Sequence, residues 1–206
     1  MLENYKKHVA ERAEQNIPPL PLDADQTSEL IELLKKDHQE SDFLLNLLKE
    51  RVPAGVDQAA YVKAAFLADI TTGKASSPYI SKIDAVKILG TMLGGYNIQP
   101  LIECLKDNEL AEAAAHVLSR TLLIFDAFNE IFELSKTNEH AKKVVEEWAN
   151  ATWFTEKTDI EEQIKLTVYK VTGEINTDDL SPAPDAWSRP DTVSYTHLTL
   201  PTIQPV

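Results

Sequence analysis

The residues best suited to chemistry lie in the segment 170–191, near the end of the printed chain. Arg189 carries a planar guanidinium fork, which can hold a carboxylate through two hydrogen bonds. Four residues of the same segment add shorter hydrogen-bonding side chains: Asn176, Thr177, Ser181 and Ser188. The preceding stretch, 164–171, alternates apolar with polar or β-branched residues and predicts a strand that carries this loop. The pattern suits an anion-binding loop, but composition alone favours an ordinary surface loop whose Asp and Ser residues cap turns.

The part of the chain that must position this loop reads as a series of short helices. From residue 2 to about residue 159, apolar residues recur at helical spacing, with breaks near Pro53, Gly73, Gly94 and Asn108. The predicted helices include 81–93, 98–106, 111–132 and 140–150. Helix pairs of this length that bury one face against the next pair are typical of a HEAT-like stack. The sequence therefore predicts a mainly α fold built as a HEAT-like helical-repeat domain.

Local signals predict where some of these helices begin and how two of them are joined. Asp25 or Thr27 is expected to cap the second helix, and Asp57 the fourth. The glycine-rich run 90–95 follows a helical pattern rather than a strand, so it predicts a tight turn between helices and not a phosphate loop.

The charge of the chain limits the classes of partner. Its 206 residues contain 33 Asp and Glu against 20 Lys and Arg, a formal net charge of −13. Such a balance disfavours indiscriminate attraction to nucleic acid or anionic lipid. No apolar run approaches the roughly 20 residues that span a bilayer, and the N-terminus lacks the apolar core of a signal peptide. We expect a cytoplasmic protein that makes no membrane contact.

Histidine, cysteine and tryptophan offer little for a site. The histidines are scattered without metal-ligand spacing: His8, His38, His116, His140 and His197. A lone cysteine, Cys104, cannot form an internal disulfide or hold an iron–sulfur cluster, and it is expected to fill the core. Trp148, Trp153 and Phe154 are expected to pack where the helical part meets the predicted strand. No catalytic, cofactor-binding or metal-ligating residue is expected from these types.

Several short groups of residues, taken in order, carry a resemblance to a known family. They are 1–3, 8–13, 51–53, 60–64, 89–92, 94–97 and the segment 170–191. Together they resemble aconitate hydratase B, the family of bacterial aconitases that also act as 2-methylisocitrate dehydratases. The resemblance covers about residues 1 to 191.

The resemblance implies how the chain is divided. Residues 1–159 are similar to the family's HEAT-like helical domain, and residues 160–191 to the start of its α/β swivel domain, here truncated. Residues 192–206 lose the family pattern, contain no charged residue if His197 is neutral, and resemble a translated vector or sequencing-adapter tail. We predict that this tail is not native and is disordered, since a single strand cut from its sheet cannot pair its backbone groups.

The resemblance also implies an activity, the conversion of citrate to isocitrate through cis-aconitate in the tricarboxylic acid cycle. The family's catalyst is a [4Fe–4S] cluster that acts as a Lewis acid and is held by three cysteines. None of these cysteines has a counterpart here, and the family's catalytic serine comes later in the chain. Arg189 corresponds to the arginine that binds a carboxylate of the tricarboxylate substrate. The chain alone is therefore expected to bind no cluster and to be inactive.

An interaction module is the alternative to an enzyme fragment. In the resembled family the helical domain is linked to homodimer formation, to a channel over the active site, and to messenger-RNA binding by the iron-free protein. The acidic charge and the absence of a dense basic stripe favour a protein partner over RNA, since the lysines occur only as pairs such as Lys35-Lys36. A purely structural domain that positions the swivel domain is a third interpretation.

Overall fold

The computed structural model describes residues 2–15, 19–53, 55–121, 124 and 127–156, and the single residues 163, 165 and 173. Helices dominate this part of the chain. In order they are α1 (Leu2–Glu14), α2 (Ala24–Leu34), α3 (Ser41–Glu50), α4 (Gln58–Thr72), α5 (Lys82–Gly90), α6 (Ile98–Cys104), α7 (Ala111–Leu118), α8 (Phe128–Leu134), α9 (Glu139–Ala149) and α10 (Thr152–Thr155). Strand-like pairing among these residues amounts to one isolated bridge between Ser77 and Ile80. The predicted mainly α class is confirmed for the described residues.

From α2 onward, the helices pack against helices one or two places away in the chain. α2 contacts α3 and α4, and α4 contacts α5. α5 contacts α6 and α7, α7 contacts α6 and α9, and α9 contacts α8 and α10. The apolar faces join into one core, whose fully buried members include Leu30, Leu44, Leu67, Leu89 and Leu118. Each helix thus buries its apolar face mainly against near neighbours in the chain.

The starts of two helices test the capping predictions. α2 begins after Asp23, whose carboxylate accepts a hydrogen bond from the Gln26 amide at 2.7 Å, while the Gln26 side chain accepts from the Asp23 amide at 3.1 Å. The prediction of Asp25 or Thr27 was therefore wrong, because Asp23 with Gln26 three residues later forms a complete capping box. Asp57 was predicted correctly, since its carboxylate accepts from the Ala59 amide at 2.8 Å.

The predicted helix over 111–132 is wrong, because the structure contains two helices there. α7 ends at Leu118 and α8 begins at Phe128. After Leu118 the amides of Arg120 and Thr121 bond carbonyls three residues back, at 3.1 and 3.0 Å, which tightens the last turn and ends the helix. The apolar pattern continues through this break, so periodicity alone joined the two helices.

Side chains from later in the chain bond the carbonyl groups at the ends of earlier helices. The last carbonyls of an α-helix lack a partner within the helix and need an outside donor. Five helix ends receive one here: Ser77 Oγ to Leu34 O (2.6 Å), Lys63 Nζ to Lys49 O (3.4 Å), Asn97 Nδ2 to Leu89 O (2.9 Å), Asn138 Nδ2 to Leu105 O (2.9 Å) and Trp148 Nε1 to Leu118 O (3.0 Å). Each bond ties a helix end to a residue further along the chain.

The run 90–95 forms the predicted turn, between α5 and α6, and glycine is needed there for two separate reasons. Gly94 and Gly95 have φ values of +97° and +98°, a backbone region that favours glycine. A β-carbon on Gly94 would also lie 2.3 Å from the carbonyl carbon of Gly55, whose amide donates to Leu93 O at 3.0 Å. No atom lies within 4 Å of a β-carbon built on Gly95. At Gly94 and Gly55 the loop after α3 and the loop after α5 therefore touch backbone to backbone.

Gly94→Ala is expected to destabilise the fold more than Gly95→Ala does. Both changes place alanine at a positive φ, at a cost of about 1–2 kcal/mol, but only the Gly94 variant forces two backbone segments apart. The excess should be roughly 2 kcal/mol in the free energy of unfolding, as for other overpacked sites. Urea unfolding followed by circular dichroism measures the difference. Equal losses in the two variants would show that the Gly94–Gly55 contact does not constrain the fold.

Candidate functional site

The loop that the sequence singles out lies outside the described residues. This holds for Arg189, for the short polar side chains of the segment 170–191, for His197 and for the tail 192–206. Of the predicted strand 164–171 only Lys165 is described, and of the loop only Gly173. The prediction that Arg189 binds substrate therefore stays a prediction.

The described histidines and the cysteine belong to the scaffold. His8 Nε2 accepts from the Leu20 amide at 3.0 Å, and His38 Nδ1 accepts from the Glu40 amide at 3.1 Å. Cys104 is buried, 4% exposed, as predicted, and burial raises the pKa of its thiol. Over the described ranges no group of three or more His, Cys, Asp or Glu could hold a metal ion. The helices of these ranges include none that is long and apolar enough to cross a membrane.

Aromatic side chains gather towards the end of the described chain. Phe128 stacks on Phe132 and on Trp148, with ring centroids 6.2 and 5.9 Å apart. Trp148 is anchored through its indole bond to Leu118 O. Trp153 and Phe154 are 42% and 61% exposed. The predicted partner of these rings, the strand region, lies outside the described residues, so their role at a domain junction stays a prediction.

A cleft between α3, α4 and α5 carries the most unusual charge in the described chain. It has a volume of about 540 Å³ and lies where the carboxyl ends of α3 and α5 approach the middle of α4. Its lining consists of Lys49, Glu50, Val52, Pro53, Lys63, Lys87, Ile88, Thr91 and Met92. Three ammonium groups against one carboxylate are out of keeping with a chain of net charge −13. The cleft is therefore the candidate site among the described residues.

Lys63 is the buried member of this cleft. Its side chain points away from water, and the residue is 4% exposed. Burial lowers the pKa of Lys63 to about 8, and the charge of Glu50 opposes the shift. Among the described residues no carboxylate lies within 4.0 Å of Lys63 Nζ, which donates to Lys49 O at 3.4 Å. The cost of desolvating the Lys63 ammonium group is therefore offset only weakly.

The sequence held one signal for this cleft that was not used. Ala59 and Ala60 precede Lys63 by four and three residues, and Phe66 and Leu67 follow it by three and four. All four are buried, so Lys63 lies on the buried face of α4. A lysine on the inward face of a helix is rare because its charge must be desolvated. That signal could have identified Lys63. Lys49 and Lys87 are exposed lysines without such a signal, and they line the same cleft as Lys63 only in the folded chain.

Lys63→Met is expected to stabilise the fold at pH 7 and to lose that advantage as pH rises. The pKa of Lys63 is about 8 in the folded protein, against 10.5 for the free side chain. Between these two pH values the unfolded state binds more protons than the folded state. The free energy of unfolding of the wild type therefore rises with pH across this window. Below pH 8 the full cost of burying the charged Lys63 lowers the free energy of unfolding, by up to roughly 3 kcal/mol. Urea unfolding from pH 7 to 10 measures it. Lys74→Met, at an exposed lysine outside the cleft, should show no such trend, and a pH-independent difference for Lys63→Met would contradict the assignment.

Two models of known protein families match most of the chain. The family model for the aconitate B N-terminal domain matches residues 4–154, and the model for the aconitate hydratase 2 N-terminus matches residues 166–200. The second match overlaps residues 192–200 of the predicted tail, whose non-native origin stays a prediction.

The chain is also similar to curated aconitate hydratase B proteins. It is 58% identical over 193 residues to the protein of Escherichia coli, covering 93% of this chain and 22% of that protein. The Synechocystis sp. protein is 56% identical over 194 residues, with 93% of this chain and 22% of that protein covered. The Helicobacter pylori protein is 50% identical over 192 residues, with 92% and 22% covered. The chain thus spans about a fifth of the length of these relatives. One family model covers most of the chain, and the identities to these proteins are 50% or higher. The chain therefore belongs to the aconitate hydratase B family.

Proposed function

We propose that this chain is the N-terminal part of an aconitate hydratase, a hydro-lyase of the tricarboxylic acid cycle. The reaction removes water from citrate to give cis-aconitate and adds it back to give isocitrate; 2-methylisocitrate dehydration is the second activity of the same site. The observation that carries the proposal is the identity of 58% over 93% of the chain to a protein named aconitate hydratase B. The proposal keeps the cytoplasmic location that the sequence predicts.

We further propose that residues 1–159 form a HEAT-like domain and that residues 160–191 begin a swivel domain. Two features of the described helices support the first part. Contacts run between helices that are close in the chain, and side chains of later elements bond the ends of earlier helices. Both are typical of stacks in which each helix pair contacts the next. The match of a second family model to residues 166–200 supports a boundary near residue 159.

The residues of this chain do not fit a [4Fe–4S] cluster. Such a cluster needs several thiolates, and the chain contains one cysteine. Cys104 is buried in the core, and burial raises its pKa, which disfavours the thiolate that iron requires. The cluster ligands and the catalytic serine therefore belong to other parts of the longer protein. No catalytic step is assigned to a residue of this chain.

Arg189 is the residue of this chain that we place at the substrate. Its guanidinium would donate two hydrogen bonds to a substrate carboxylate, which neutralises one charge of the tricarboxylate and fixes its orientation. Orientation of this kind lowers the barrier because the reacting bond is held in place before the chemistry begins. The support is the sequence around Arg189, in Asp185-Ala186-Trp187-Ser188-Arg189-Pro190-Asp191.

Arg189→Lys in the full-length protein is expected to reduce kcat/KM for citrate by about 100-fold, because a lysine cannot form the bidentate pair. Steady-state formation of cis-aconitate at 240 nm measures it. Arg51→Lys, a change of the same type in the helical part, is the matched control and should stay near wild type. Visible absorbance of the cluster should be unchanged in both. A loss of less than about threefold in Arg189→Lys would remove Arg189 from the substrate site.

An interaction role for the helical domain is a second proposal. The resemblance implies homodimer formation and messenger-RNA binding by the iron-free protein. The exposed rings of Phe128, Phe132, Trp153 and Phe154 support a protein partner, since aromatic residues are enriched at protein interfaces. The net charge of −13 argues against RNA, because phosphate contacts need clustered Lys and Arg.

A further inference from the structure

The charges around the cleft between α3, α4 and α5 do not balance within the described chain. Lys49, Lys63 and Lys87 face a space that contains one carboxylate, that of Glu50. Asp84 lies near enough to feel the charges of Lys49 and Lys87, but its carboxylate is bonded to the Ser81 hydroxyl and amide at 2.6 and 3.1 Å. It serves as the cap of α5 and does not line the cleft.

The donors of Lys63 are also under-used. An ammonium group carries three N–H donors, and Lys63 Nζ makes a long contact of 3.4 Å to Lys49 O. A buried donor without a good acceptor is costly, and a charged donor more so. An anion in the cleft would accept from Lys63 and would raise its pKa, offsetting the penalty of burial. Thr91, whose hydroxyl donates to Ile88 O at 2.8 Å, offers only an acceptor to the cleft.

The shape and walls of the cleft define the class of ligand. A volume of about 540 Å³ is in the range of small-molecule sites. Val52, Pro53, Ile88 and Met92 provide apolar walls beside the ammonium groups. This combination suits a short carbon or phosphate skeleton with acidic groups at more than one end. With three ammonium groups in the lining, a ligand that carries more than one acidic group can neutralise more of this charge than a single anionic group can.

Helix ends offer a purely structural explanation for the same lysines. The carboxyl ends of α3 and α5 carry partial negative charge, which nearby cations offset. Lys49 and Lys87 lie in the last turns of these helices. This accounts for two exposed lysines. Lys63 also bonds the end of α3 through Lys49 O, but that 3.4 Å contact uses one of three N–H donors and does not explain why a charged group is buried on α4.

We propose that the cleft binds a small polyanion bearing at least two carboxylate or phosphate groups, held between Lys49, Lys63 and Lys87. The proposal makes no use of Arg189 and needs no cluster, so it goes beyond the proposed aconitase activity and can fail independently of it. Binding there would tie the ends of α3 and α5 to α4.

Isothermal titration of the 206-residue chain with citrate and, separately, with inorganic pyrophosphate tests the proposal. We expect saturable binding of at least one probe, and the stronger of the two identifies the chemistry. The double change Lys49→Gln with Lys87→Gln should weaken it by about tenfold or more. Lys74→Gln with Lys82→Gln removes the same charge from exposed lysines outside the cleft and should stay within about twofold, since such charges are screened. No saturable binding of either probe below about 10 mM, or equal losses in both double variants, would overturn the proposal and leave the helix-end explanation.

Chemical labelling locates the ligand on Lys63 without changing that residue. Acetic anhydride modifies neutral amines, so an amine that titrates near pH 8 reacts readily once reached. The bound probe should slow acetylation of Lys63, followed by peptide mass spectrometry, by about fivefold or more, because it shields the amine and raises its pKa. Acetylation of Lys74 is the internal reference. Unchanged labelling of Lys63 in the presence of saturating probe would place the ligand elsewhere and overturn the assignment.

Discussion

The need to bond the carbonyl groups at the ends of helices shapes the described chain more than any other constraint. Short helices have many ends per residue, and each end leaves carbonyls without a partner. Here donors come from side chains up to 43 residues further on, as in the bond from Ser77 to Leu34. A hydrogen bond of this kind contributes only about 1 kcal/mol net, but an unbonded buried carbonyl costs more. The helices are therefore held together by polar contacts at their ends as well as by the apolar core.

The same constraint explains why the loops after α3 and α5 meet. Asn97 is buried and donates to Leu89 and Met92, so the turn after α5 is pulled back over the end of its own helix. That path brings Gly94 onto the backbone of Gly55, where a side chain has no room. Lys63 reaches the end of α3 from the other side. Lys63 thus serves the end of α3 with a charged donor, where the end of α5 receives an amide from Asn97.

Some of this could be predicted from sequence and some could not, for identifiable reasons. Helix existence and the Asp57 cap follow from local periodicity and local chemistry, and both were predicted. The cap at Asp23 was missed because a capping box needs Gln26 read together with it. The break after Leu118 was missed because apolar spacing continues through it. The cleft joins Lys49, Lys63 and Lys87 from three helices or their ends, and no local pattern contains that information. Arg189 was singled out through its guanidinium and given a role by resemblance, not by geometry.

The two proposed ligand-binding groups, Arg189 and Lys63, differ in chemistry in a way that suits different tasks. Arg189 keeps its charge at any pH that a cell reaches, and its planar fork fixes the direction of a carboxylate. Lys63 has a pKa of about 8 because it is desolvated, so its charge depends on what lies beside it. An arginine can orient a substrate during turnover with no change in protonation, whereas a buried lysine responds to an anion by holding its proton more tightly. Occupancy of the cleft is therefore coupled to protonation of Lys63, and through Lys49 O and α3 to the stability of the helices around it.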